Sequence, residues 1–141
     1  AVPAISNADT DNEALIKFIN GLNRDRARGD LAPHQIILLA SLLIEFTDSH
    51  DKKIQIDSLI TSFENIWINN AIKFKSINMN IGMPIKSFEN QGYINLRKKN
   101  PIKDYRNLND LKNNIDYLEL NFVLTELFET KCTEKDILNN I

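Results

Sequence analysis

The chain has 141 residues, 43% of them hydrophobic, and a formal net charge of −2, which suffices for one apolar core in one domain. No apolar run is long enough to span a bilayer, and the first residues lack the basic start and apolar stretch of a signal peptide, so the sequence reads as cytoplasmic. Cys132 is the single cysteine, and His34 and His50 form no H-x-x-H or H-E-x-x-H pattern, so neither a disulfide nor a metal or other cofactor is expected.

In chain order, residues 1–10 lack periodicity and read as a disordered tail or cloning remnant, leaving 11–141 as a single domain. A helix is predicted over Asp11–Leu22, with Leu15, Phe18, Ile19 and Leu22 on one face. The polar segment Asn23–Asp30 carries Arg24, Arg26 and Arg28 into a second helix over Ala32–Phe46. Ile36–Ile44 there is apolar around the whole axis except at Ser41, the pattern of a helix buried on most sides. Pro33 suits its first turn, with Asp30 or Ala32 at the cap. His34 then projects from a helix start, where free N–H groups and the dipole favour an anion; the plainer alternative is a histidine packed at a helix end.

After a polar turn at Thr47–Lys53, Ile54–Ile56 reads as a short strand. Asp57 is expected to cap a helix containing Leu59, Ile60, Phe63, Ile66 and Trp67. Lys73–Gly82 is irregular, and Met83-Pro84 is expected to stop any helix. Ile85, Phe88, Tyr93, Ile94 and Leu96 around Glu89–Gly92 then predict a β-hairpin turning at Gly92. Lys98–Asp104 follows as a basic loop, then helices over Leu108–Ile115, Leu118–Phe128 and Thr133–Ile141, the last capped by Thr133. The expected fold is α+β and mostly helical, with a small β-hairpin in a winged-helix-like outline.

The modest net charge conceals a segregation. Residues 73–106 hold eight basic side chains against Glu89 and Asp104, a surplus of +6, whereas residues 1–72 and 107–141 each carry −4. A basic middle between acidic flanks is the footprint of a phosphate-binding face; the alternative is a basic loop paired with the protein's own acids. Ser41, Ser58 and Ser62 lack a nucleophile-elbow context. Glu64, Asp104, Asp110, Asp116 and Glu119 form no nuclease core, and the four glycines no phosphate loop, so no catalytic residue is assigned.

Two motifs are informative together: Arg28-Gly29 with Ala32-Pro33-His34-Gln35, and about fifty residues later Met83-Pro84-Ile85-Lys86-Ser87-Phe88 with Gly92-Tyr93. In this order and spacing, over about Asp11–Phe128, the chain resembles the sulfur-binding domain of McrA-like, phosphorothioate-dependent HNH restriction endonucleases. The resemblance implies a domain that docks on double-stranded DNA and reads a backbone in which sulfur replaces a non-bridging phosphate oxygen. It implies a sulfur pocket at Met83, Pro84 and Ser87, and DNA contacts from Arg28, His34 and Gln35. Charge adds Lys86, Arg97, Lys98 and Lys99 to the DNA-binding set. Three positions depart from the family pattern: Met83 replaces an aromatic, Gln35 replaces a Lys or Arg, and Ser87 replaces a small apolar residue. Methionine is soft enough to line a sulfur pocket, and Gln35 is suited to an adenine edge. In that family the domain accompanies a nuclease module, whose His-Asn-His set has no counterpart here, so an excised recognition domain or a stand-alone reader of bacterial defence is expected. Two other classes fit the same composition: a winged-helix transcription regulator of unmodified sequence, and a protein-interaction module using the acidic flanks.

Overall fold

In the computed structural model, every residue from Gln35 to Leu43 of helix α2 (His34–Ser49) is buried, and the remaining elements are arranged around this axis. The structure describes residues 13–22, 26–27, 30–31, 33–74, 79–130 and 132–141. Helix α1 (residues 13–20) buries Leu15 and Ile19; the predicted start at Asp11, the tail 1–10 and Arg28 lie outside the described residues. Two-residue strands β1 (Arg26–Ala27) and β2 (Asp30–Leu31) pair antiparallel within the segment expected to be a plain connection.

Helix α2 begins with Pro33, expected in its first turn, at the cap position and without a side-chain cap bond; of the two expected caps, Ala32 and the side chain of Asp30 lie outside what the structure describes. It continues three residues past the predicted end. Ser49 Oγ donates to the Glu45 carbonyl, and His50, left-handed at φ 54°, closes the last turn through its N–H to the Phe46 carbonyl. Buried Ser41 is satisfied within the helix, its Oγ donating to the Ile37 carbonyl at 2.7 Å.

Strand β3 (Lys53–Gln55) leads directly into α3 (Ile56–Asn70). Gln55 holds the cap position, and Asp57 instead lies in the first turn, a favourable place for its charge. A 3₁₀ turn, Ala71–Lys73, follows.

The hairpin expected across Ile85–Leu96 does not form. Residues Gly82–Asn90 are helix α4, and strand β4 (Ile94–Lys98) begins only after it. Pro84 is tolerated because it is the third helical residue, where no intrahelical N–H partner is required. Gly92, at φ 83°, terminates the helix instead of turning a hairpin. Its N–H bonds to the Glu89 carbonyl and that of Tyr93 to Phe88, a Schellman ending accompanied by edge contact of the Tyr93 and Phe88 rings at 5.6 Å.

Helix α5 (Leu108–Asn114), strand β5 (Ile115–Leu120), α6 (Phe122–Glu129) and α7 (Glu134–Leu138) complete the chain. The single helix predicted over Leu118–Phe128 is therefore divided. Ile115–Leu120 is a strand, and Asn121 caps α6 by accepting from Val123 N–H at 3.0 Å. Thr133 caps α7 as expected, in a reciprocal box with Asp136.

The three-stranded antiparallel sheet has the order β3-β5-β4. Ile54, Ile94, Leu118 and Leu120 face the helices, while Lys53, Gln55, Asn95, Arg97, Tyr117 and Glu119 occupy the other face. The fold is α+β and mostly helical, with a small sheet, as the composition of its elements predicted.

Candidate nucleic-acid interface

The basic residues after α3 are organised by Tyr105, which stands in the loop between β4 and α5. Its hydroxyl donates to Glu89 Oε1 on α4 at 2.8 Å. Lys86 and Lys98 place their ammonium groups 5.5 and 6.0 Å from its ring centroid, within cation–π range. Glu89 Oε2 lies 3.3 Å from Lys98 Nζ, so one acid holds both the tyrosine and a lysine. Burial lowers the Lys98 pKa, but hydrogen bonding to Tyr105 and the Glu89 charge outweigh it, and the pKa is raised. Burial first, and then the bond to Glu89, push the Tyr105 hydroxyl up as well, so it stays protonated at neutral pH.

Lys98 is thus paired internally, in line with the self-pairing alternative read from the charge pattern. Arg97 and Lys99 are exposed and make no ion pair among the described residues. The loop beyond them is tied down. Asp110 Oδ2 accepts from the backbone N–H of Lys103 and Asp104 at 2.8 and 2.7 Å, and Asp104 Oδ1 accepts from Arg106 N–H. A secured loop loses less freedom when it meets a ligand.

His34 is the first residue of α2, half-buried, with its ring 4.9 Å from that of Trp67 on α3. The packed-histidine alternative is therefore realised in part, although the residue still stands at a helix start. Gln35 is buried, only 8% exposed, which leaves it poorly placed to reach a base edge.

The three residues assigned to a sulfur pocket share α4 but not one environment. Met83 is exposed at 40%, Ser87 is half-buried, and Pro84 is buried. The Ser87 hydroxyl, which stands where the family pattern has a small apolar residue, accepts from Gln91 Nε2 at 2.9 Å and so has a partner at the end of its own helix. A cleft of about 70 Å³ opens beside the start of this helix, between Phe63, Asn80, Gly82, Tyr105 and Leu111. Of the α4 residues it is lined by Gly82 rather than by Met83, Pro84 or Ser87.

The two motifs nevertheless meet one another through α3. Trp67, against His34, lies 6.0 Å from the Phe63 ring, and Phe63 lines the cleft with Ile81 and Gly82. Two helices, each with a proline at its start, therefore approach α3, one at Trp67 in its C-terminal half and the other at Phe63 at its centre. Asn80 fixes the second start by accepting from Met83 N–H at 3.1 Å.

Tyr105 and Tyr117 are absent from the sequence-based set. The first had a signal, an aromatic within a basic run; the second had none, because it fell in the break between two predicted helices. Among the described residues no group of His, Cys, Asp and Glu is arranged to hold a metal, and no helix is long and apolar enough to cross a membrane. No protein-family model matches the chain, and no curated protein sequence matches it.

Proposed function

We propose that this chain is a DNA-binding domain that grips duplex backbone through the face around Tyr105 and reads a phosphorothioate, without catalysing a reaction itself. The observation that carries the duplex reading is the meeting of Lys86 and Lys98 at Tyr105, with the exposed Arg97 and Lys99 flanking Lys98 along the chain, in a protein of net negative charge. Backbone contacts of this kind supply affinity and little sequence information. The sulfur reading rests on the resemblance. It is supported by the approach of both proline-led helix starts to α3 and by the exposure of soft Met83 at one of them. A basic wing, on which the transcription-regulator alternative leaned, is replaced here by a helix and a strand.

The test is fluorescence anisotropy on two duplexes that differ by one phosphorothioate, at one stated salt concentration and then across a salt series. Both duplexes are expected to bind, the sulfur-containing one more tightly. Replacing Arg97, Lys98 and Lys99 with Ala should weaken both and flatten the salt dependence, by about one unit of slope for each phosphate that is no longer neutralised. Absence of duplex binding, or an unchanged slope, overturns the backbone assignment. Equal affinity for the two duplexes overturns the sulfur reading alone.

A further inference from the structure

The outer face of the sheet carries a tyrosine that the duplex reading does not use. Tyr117 lies on the central strand β5, with Arg97 of β4 and Gln55 of β3 as its direct cross-strand partners. The next rung on the same face holds Glu119 between Lys53 and Asn95. Lys53 Nζ reaches back to within 5.2 Å of the Tyr117 ring centroid. The residues on the two outer strands are exposed and the central pair is half-buried, so no described helix covers this face. Its acid Glu119 is met by Lys52 at 3.4 Å, which leaves Lys53 and Arg97 as the cations flanking the ring; Asp116 is exposed beside it.

We propose that this face is a second nucleic-acid contact, on which a base of an unpaired strand stacks against Tyr117 while Lys53 and Arg97 take the adjoining phosphates. Every base offers a π-face, so an aromatic between cations binds single strands with little sequence preference. Gln55 and Asn95 add donors and acceptors at the edges of the platform, where the polar rim of a displaced base lies. A base arriving on the ring displaces the Lys53 ammonium, which is then free to pair with its phosphate. Charge complementarity favours a polyanion, and continuity does so too: Arg97 adjoins Lys98 and Lys99, so a strand leaving a duplex on that face would pass over Tyr117. The site does not depend on duplex binding or on sulfur.

Single-stranded ten-residue oligothymidylate and oligouridylate serve as probes of the whole chain, with duplex DNA alongside. At least one single strand is expected to bind. Loss of a stacked base corresponds to about tenfold or more in affinity. Tyr117→Leu should therefore weaken single-strand binding by about that factor, Tyr117→Phe should retain it, and neither should alter duplex affinity. Should Tyr117→Leu not fold, NMR shifts of the unaltered protein decide. On titration with oligothymidylate or oligouridylate, whichever binds, they should move at Lys53, Gln55, Asn95, Arg97 and Tyr117. The proposal is overturned if neither single strand binds, if folded Tyr117→Leu binds as well as the unaltered protein, or if shifts are confined to Lys86, Lys98 and Lys99.

Discussion

Among the described residues, Glu89 is the acidic side chain that pairs with a cation of the proposed DNA face, and it has two effects. It holds the Tyr105 hydroxyl and Lys98 in place, and it occupies a cation that a phosphate would otherwise take. Glu89→Gln keeps an acceptor for the tyrosine but removes the charge. Duplex binding should become tighter and its salt dependence steeper, since Lys98 is released to a phosphate. The same variant has a spectroscopic signature. Burial and the bond to Glu89 hold Tyr105 above the ordinary tyrosine range, so removing the charge should bring its ionisation down. Difference titration of the phenolate absorbance against Tyr105→Phe measures this directly. The sign for stability follows. A raised folded pKa, at Tyr105 and at Lys98, stabilises the fold below the unfolded value and loses that contribution as pH climbs through the folded one. Glu89→Gln should therefore lose less stability than the unaltered protein as pH rises through the range where Tyr105 and Lys98 titrate, so the gap between their unfolding free energies narrows at alkaline pH. An identical titration and an identical salt slope would remove Glu89 from this role.

At the scale of the element, α4 shows where sequence reasoning succeeds and where it fails. Pro84 and Gly92 are both breakers, and together they suggested a stop followed by a hairpin. Each is instead a terminus signal of one short helix, a proline in the first turn and a glycine just past the last. The buried residues Ile81, Ile85 and Phe88 carried the helical spacing that should have decided it. The strand in Ile115–Leu120 was missed for a related reason: Leu120, Leu124 and Leu127 fall at i, i+4 and i+7 on one helix face, and only Asn121 marks the boundary. Buried α2 was legible because nine consecutive buried positions leave no amphipathic ambiguity. The clustering of basic residues was legible from charge. Their arrangement around Tyr105 was not, since it requires α4, β4 and the following loop to meet. Two glycines test the terminus argument. A methyl at Gly92 meets open space but must accept φ 83°, which costs about 1–2 kcal/mol. At Gly82 the added carbon collides with the Tyr105 carbonyl and crowds Leu111 at 3.1 Å. Gly82→Ala should then destabilise more than Gly92→Ala and also weaken duplex binding, because it pushes against the loop that carries Tyr105. Urea denaturation and duplex anisotropy on the two variants check the order.

For the whole molecule, the helices cover one face of a sheet that has only three strands, and β5 lies between the other two. The outer edge of β4 is unpaired among the described residues. An exposed edge of this kind recruits other strands unless it is made inhospitable. Strand β4 meets that requirement at one end, where Arg97 and Lys98 stand side by side and a register shift falls between them. The charges read above as a grip on phosphate therefore also keep one molecule from zipping onto the next. Replacing Arg97, Lys98 and Lys99 with Ala should lower solubility, seen as earlier light scattering on warming; unchanged scattering would show that the bulge alone protects the edge. A nucleic acid laid along this border would shield the strand as it neutralises the cations, so the protein should resist heat-induced aggregation best when it is bound.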